Sequence, residues 1–305
     1  MLEGKKILVT GAAGMLAGDV APRLRAAGAE LHLADVRAGE RADGSFVACD
    51  ITDAGSVQRL LERLRPDWVI NCAAFTRVDD AESEPEPAFL VNATGPGNLA
   101  KAARSCAAAM LHVSTDYLFG GRGADLSQRR PLRETDPVFP CGIYGQSKRY
   151  GDELVVATLP ENHVIVRTSW LHGAHGHNFV HAILRLARER DELKVVDDQT
   201  GSPTWTGWLA DAIVALVARD ARGTYHASSR GDITWFEFAR GIVEEAGIEV
   251  SLQPQTTEEL ARPAPRPAYS TLAVDKLEGF LERPAPTWRE GLRQHLAAIG
   301  ELKEI

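Results

Sequence analysis

The chain has 305 residues, 44% of them hydrophobic and 25% charged, and a formal net charge of −8. That length suffices for one large or two modest domains around a substantial core, and no apolar run reaches the ~20 residues needed to cross a bilayer. The acidic balance disfavours general binding to nucleic acid or a membrane surface, and an anionic substrate must be met by local positive charge.

From Met1 the chain runs straight into Ile7-Leu8-Val9, without the apolar stretch and cleavage site of a secretory signal. Lys6–Thr10 reads as a strand and about Gly14 to Ala27 as a helix. Glu30–Ala34 and Phe46–Cys49 read as further strands. Ser56–Arg65 has helical periodicity, with Val57, Leu60, Leu61 and Leu64 on one face. Trp68–Cys72 is the fourth strand, Ala88 to Ala107 a helix, and Met110–Ser114 the fifth strand. His163–Arg167 and Leu193–Val196 continue the strands, and Phe179–Arg190 and Trp208–Arg219 the helices. Prolines then cluster at Pro254, at Pro263, Pro265 and Pro267, and at Pro284 and Pro286, between helices expected over Trp235–Ala246 and Trp288–Ile299. Alternation of this kind implies βαβ units, hence a doubly wound parallel sheet of the α/β class, with a smaller C-terminal lobe over its ligand edge.

Cys49, Cys72, Cys106 and Cys141 form no C-x-x-C pair. They read as buried thiols of a cytoplasmic protein rather than disulfides or a zinc site.

The turn Gly11-Ala-Ala-Gly14-Met-Leu-Ala17 leaves a strand and opens a helix. Gly11 permits a sharp turn, Gly14 lets a diphosphate approach backbone N–H groups at the helix N-terminus, and small Ala17 keeps helix and strand close. Glycines alone fit an ordinary strand–helix turn equally well. Asp35 strengthens the dinucleotide reading, because it ends the second strand 24 residues after Gly11, where a carboxylate grips the adenosine ribose. That carboxylate favours NADH, whereas Arg37 is placed to contact the 2′-phosphate of NADPH, so either cofactor remains open. Asp50-Ile51 follows the third strand, at the height of the adenine edge.

Tyr144-Gly-Gln-Ser-Lys148 carries the chemistry. Four-residue spacing on a helix puts both side chains on one face. A carbonyl that accepts hydride develops charge on oxygen and needs a proton, which a tyrosine can give; a lysine cation nearby lowers the phenol's pKa. An isolated match is commonly a solvated helix face. Here it follows Ser114-Thr115-Asp116 at a strand's carboxyl end, where ligands of doubly wound sheets bind.

The ordered set of segments resembles the extended short-chain dehydrogenase/reductases, and within them the dTDP-4-dehydrorhamnose reductase family. The segments are Gly11–Leu16, Asn71–Asp79, Ala81–Pro85, Val91–Thr94, Ser114–Phe119, Tyr144–Lys148, Arg167–Trp170, Asp198–Pro203, and Arg266-Pro267 with Ser270. The resemblance implies NADH- or NADPH-dependent reduction of the C4 keto group of dTDP-4-dehydro-6-deoxy-L-mannose, with Thr115, Tyr144 and Lys148 as the catalytic trio. It implies cofactor contacts from Met15, Leu16, Ala73, Ala74 and Thr76 beside Gly11, Gly14, Asp35, Asp50 and Ile51. Asp116, Tyr117 and Trp170 occupy sugar-facing positions, and Arg266, with Arg262 nearby, is placed to neutralise the substrate diphosphate. The sequence departs from the family's common residues at Cys72 and Phe75. A homodimer is open, and Asp19 lies near a position at which some members bridge dimers through a metal, but no metal site is expected here.

The implied division is a dinucleotide-binding domain over 1–168 and 193–228, and a substrate-binding lobe over 169–192 and 229–305. Two other functions fit the same fold. A nucleotide-sugar dehydratase or epimerase is one, although the Asp-Glu pair of dehydratases is incomplete at Asp116-Tyr117. A non-catalytic regulatory subunit, like the one that accompanies some methionine adenosyltransferases, is the other. His172, His175, His177 and His181 read as a surface loop rather than a metal cluster. Trp205, Trp208, Trp235 and Trp288 read as packing residues, and Arg129-Arg130 as a solvated pair.

Overall fold

A computed structural model describes residues 2–41, 44–121 and 129–303. Eight strands form the large sheet: β1 (Lys6–Thr10), β2 (Glu30–Asp35), β3 (Gly39–Arg41), β4 (Gly44–Ala48), β5 (Trp68–Asn71), β6 (Ala109–Thr115), β7 (His163–Thr168) and β8 (Gly223–His226). Their order is β8-β7-β6-β5-β1-β2-β4-β3. All neighbours pair in parallel except β3 and β4, an antiparallel edge hairpin. The sequence reading missed that hairpin because β3 is three residues long and has no apolar alternation.

Strand periodicity explains how both faces are buried. Ile7, Val9, Ile70, Leu111, Val164 and Val166 join one cluster with α1 (Met15–Ala26) and α6 (Thr206–Ala218). Their neighbours Leu8, Val69, Met110 and Ile165 join another, with α2 (Ala54–Leu64), α3 (Gly95–Ser105) and α4 (Gly142–Thr158). Alternate residues therefore meet helices on opposite faces. The chain leaves β1 toward β2 on one side, and β5 lies on the other. That reversal opens a crevice at the carboxyl ends of β1 and β5.

A third cluster joins α5 (Phe179–Glu189), α7 (Trp235–Ala246) and α8 (Trp288–Ala298) through Val180, Ile183, Phe238, Ile242, Leu292 and Leu296. Leu193 and Val195, expected with the larger domain, pack here, because their strand pairs with Ser251–Gln255. Leu277 and Leu281, expected with the lobe, pack against the large sheet instead.

The helix expected over Ala88–Ala107 is broken. Pro85–Phe89 leads into a wide π-turn at Leu90–Thr94 before α3 begins. The cause is Asn92, whose buried amide accepts from the Phe75 N–H at 2.8 Å and donates to Phe75 O and Ser147 Oγ, each at 3.0 Å. Turns of this type recur beside functional sites. Among the described residues, no helix is long and apolar enough to cross a membrane.

Candidate active site

The glycine turn closes one end of the crevice. Gly11 has φ +74°, and a Cβ there would lie 2.5 Å from the Ala73 nitrogen. Any larger residue would force apart the two strand ends that form the crevice. Gly14 is the N-cap of α1, whose first turn contains no acidic residue, so no carboxylate of the helix itself offsets its N-terminal dipole. Asp35, at the tip of β2, accepts from Ala13 N at 3.0 Å and Val36 N at 2.8 Å. A carboxylate is thereby fixed beside the phosphate-sized turn. Asp50 is exposed and closes a small turn on Thr52. Ile51 is buried against Gly95, and Leu16 lies in the core. Met15 faces the 173–178 loop through Asn178. Ala73 and Ala74 are half-buried past β5, and Thr76 is exposed. Gly11, Gly14, Asp35, Ala73 and Ala74 thus stand at the strand ends that open the crevice, with donor and carboxylate chemistry that fits a dinucleotide, whereas the side chains of Leu16 and Ile51 are buried.

The chemical trio converges at the end of β6. Thr115 is buried, accepts from Tyr117 N at 3.2 Å and lies near enough to the Tyr144 hydroxyl to favour its ionised form. Tyr117 and Tyr144 meet edge to face at 5.3 Å. Lys148 is buried one turn along α4 and donates to Val113 O at 2.7 Å. Burial pushes the Tyr144 phenol up to about 12, opposed by the nearby Thr115 hydroxyl, while Asp116 and Asp152 raise it further. The expected lowering by Lys148 is therefore not seen, because burial dominates and the lysine nitrogen is engaged by Val113 and His112. A phenol held this way stays protonated near neutrality and remains a proton donor.

The expected substrate side is more heavily tethered than the sequence suggests. Asp116 is buried, contacts Thr115 Oγ1 at 3.3 Å and accepts from Ser270 Oγ at 2.6 Å; burial lifts it to about 6. Arg266 meets Asp79 with both ends of its guanidinium, at 3.0 and 2.9 Å, so its fork is already occupied by a carboxylate. Arg262 reaches the same carboxylate at 3.4 Å, and the Ala264 N–H donates to it at 3.2 Å. Trp170 has φ +47° and stacks on Trp235, with centroids 3.6 Å apart and planes inclined by 7°. One indole face is thus spent on packing.

Sequence reasoning missed several supporting residues. Glu82 accepts from Ile143 N at 2.7 Å and so fixes the start of α4, just before Tyr144. Asp152 follows Lys148 by one turn and accepts from Ser114 Oγ at 2.9 Å; extending the Tyr144–Lys148 spacing one step would have found it. Asn71, at the end of β5, and His112, in the middle of β6, are fully buried polar residues in apolar strands, a visible signal.

The reading of the histidines as one surface loop is corrected. His172 is fully buried and lies 3.0 Å from His295, whose other nitrogen is 3.4 Å from His181, so only His175 and His177 suit a surface loop. Among the described residues, no group of three or more His, Cys, Asp or Glu could hold a metal. Asp19 is engaged by Arg23 and Thr206. Trp208 is a core residue, and all four cysteines are free. Arg129 and Arg130 are exposed, though Arg130 forms a bidentate pair with Asp136.

A family profile described as RmlD substrate binding domain matches residues 5–300. A dTDP-4-dehydrorhamnose reductase of Streptomyces griseus is 42% identical, covering 96% of this chain and 93% of its own. The spore coat polysaccharide biosynthesis protein SpsK of Bacillus subtilis is 41% identical, with 95% and 96% covered. The crystal structure of a dTDP-4-dehydrorhamnose reductase from Bacillus anthracis, in complex with NADP, superposes with a TM-score of 0.88 at 36% identity, covering 96% of this chain and 99% of that one. The chain belongs to the RmlD substrate binding domain family, in the company of dTDP-4-dehydrorhamnose reductases.

Proposed function

We propose that this protein is an NAD(P)H-dependent reductase that converts the C4 keto group of dTDP-4-dehydro-6-deoxy-L-mannose to the alcohol of dTDP-L-rhamnose. The observation that carries the reading is the convergence of Thr115, at the end of β6, with Tyr144 and Lys148 one turn apart on α4, beside the glycine crevice. The substrate class is supported by the Streptomyces and Bacillus anthracis reductases.

In this reading Gly11, Gly14 and Met15 present the turn to the cofactor diphosphate, and Leu16 contributes backbone alone. Asp35 takes the adenosine ribose. Asp50 and Ile51 flank the adenine, while Ala73, Ala74 and Thr76 line the wall toward the nicotinamide. The bound cofactor supplies the hydride. Thr115 hydrogen-bonds the substrate carbonyl, and Tyr144, kept protonated by burial, gives its hydroxyl proton to the developing alkoxide. Lys148 orients the ribose hydroxyls beside Tyr144. Asp116, Tyr117 and Trp170 face the sugar. Arg266 meets the diphosphate by exchanging the Asp79 carboxylate for phosphate oxygens of similar bidentate geometry.

The two-lobe division fits these roles, with residues 1–168 and 193–228 on the cofactor side and 169–192 and 229–305 on the substrate side, as modified by the packing of the Glu192–Val196 and Asp275–Leu281 segments. The four free thiols suit work in a reducing cytoplasm. The test is a coupled assay in which the 4-keto-L-sugar nucleotide is generated enzymatically while NADH and NADPH absorbance is followed. One cofactor oxidised per product supports the reductase. Interconversion of sugars without net cofactor oxidation favours an epimerase, and binding without turnover favours a regulatory subunit.

A further inference from the structure

Beneath the trio, Lys148 leads into buried polar groups, Thr10, Asn71 and His112, that the proposed reaction does not use. Thr10 Oγ1 donates to Asn71 Oδ1 at 2.7 Å, and the Ala73 backbone N–H donates to the same oxygen at 3.1 Å. Asn71 Nδ2 lies 2.9 Å from His112 Nδ1, and His112 Nε2 lies 3.2 Å from Lys148 Nζ. A backbone N–H can only donate, so it fixes the oxygen of the Asn71 amide on its own side and turns the NH₂ toward His112. The histidine Nδ1 must then accept, and the ring proton sits on Nε2. That N–H points at Lys148. An ammonium has donors only and is repelled by it, whereas a neutral amine has a lone pair to receive it.

We propose that Asn71 and His112 form a fixed-tautomer clamp in which His112 presents Nε2–H to Lys148 and favours the lysine's neutral amine. His112 is therefore a positioning residue that acts through Lys148, and the inference rests on the reading of Lys148 as the partner of Tyr144. The electrostatic surroundings agree. Burial brings Lys148 down to about 8, with Asp152 and Cys72 opposing. Burial, and then the charge of Lys148, hold His112 well below its usual range, so the imidazole stays neutral. The other groups that face this point are Tyr144 and Asp152 on α4, Cys72 after β5, and Asp116 beyond Thr115. Asp152 Oδ1 lies 3.7 Å from His112 Nε2, and Arg167 of β7 stands 3.8 Å behind Asp152. The clamp then acts in the same direction as burial, toward the neutral amine of Lys148.

Long-range ¹H–¹⁵N correlation of the cofactor-free, ¹⁵N-labelled protein reads the tautomer directly, with His112 assigned by its loss in His112→Phe. A proton on Nε2 is expected, and a proton on Nδ1 overturns the clamp. The Lys148 titration midpoint, followed through its ¹³Cε resonance, should rise by at least one pH unit in His112→Phe, a tenfold gain in proton affinity. An unchanged or lower midpoint also overturns it. If that variant does not fold, Asn71→Asp serves: its carboxylate accepts from Nδ1–H and should move the proton off Nε2, and retention on Nε2 rejects the proposal. Because neither readout needs turnover, an inactive protein with the Nε2 tautomer counts against the reductase reading alone. An active one with the Nδ1 tautomer counts against the clamp alone.

Discussion

Asp35 reaches the glycine turn across 22 residues of chain, whereas Ser270 reaches Asp116 across 154 and Arg266 reaches Asp79 across 187. The glycine turn and Asp35 are thus assembled within one βαβ unit, and Gly11, Gly14 and Asp35 are half-buried or exposed. The sugar end is assembled when the proline-rich segment around Arg266 folds back onto the turn after β6, and Asp116 is buried by that closure. The difference teaches that the first end can be tuned with little consequence for folding, while changes at the second alter stability and binding together.

The largest expected effect tests the junction of the two ends. Tyr144→Phe should lower kcat about 10²–10⁴-fold, the range for loss of a general acid, with NAD(P)H affinity unchanged. Turnover at the parental rate would remove Tyr144 from the chemistry. An equal loss in cofactor affinity would mean that the two ends are not separable there.

Asp116→Asn probes the cost of closure. Burial raises the folded carboxyl to about 6, above its usual value near 3.9, so the folded state prefers the protonated acid. Any stability drawn from this group is present at low pH and lost as pH rises from about 4 through about 6. The amide does not ionise. At pH 8 the variant should therefore exceed the parent by up to about 3 kcal/mol in denaturant unfolding, and the gain should vanish near pH 4. A gain of equal size at both pH values would rule out titration of Asp116 as its source.

Arg266→Ala should raise KM for the nucleotide sugar about 10–100-fold, as loss of charge-assisted hydrogen bonds costs about 1.5–3 kcal/mol. KM for the reduced cofactor should not change. If KM for the sugar nucleotide stays the same, the diphosphate is held elsewhere and the Asp79 pair serves closure only.

The same contrast sets how much was legible in the sequence. Gly11, Gly14 and Asp35 could be read because strand, turn and carboxylate follow one another at spacings fixed by a single βαβ unit. Tyr144 and Lys148 could be read because one helix face fixes their relation. Arg266 and Asp116 were visible as residues, but the pairing of Arg266 with Asp79 and of Asp116 with Ser270 was not, since chain spacing carries no information about contacts made by a returning segment. The π-turn at Leu90–Thr94 was hidden for a related reason. Asn92 leaves the regular helix to pair with Phe75 and Ser147, which tertiary packing decides and local propensity does not. The histidines misled because His172 lies near the exposed His175 and His177, while its partner His295 comes from α8.

The smallest effect falls at the locally built end. Asp35 is oriented by the N–H groups of Ala13 and Val36, and its carboxylate would lie against a 2′-phosphate. Arg37 is exposed two residues on and is free to turn toward that phosphate once the repulsion is gone. Asp35→Ser keeps an acceptor for the two backbone donors and removes the charge. The ratio of kcat/KM for NADPH to that for NADH should rise about tenfold, equivalent to about 1.4 kcal/mol. Neither thermal stability nor the sugar-nucleotide KM should change much, because Asp35 makes no contact with the C-terminal segment among its hydrogen bonds. A ratio that does not move would place the ribose away from Asp35. A ratio that moves together with sugar KM would show that the two ends of the crevice communicate, contrary to the separation their construction implies.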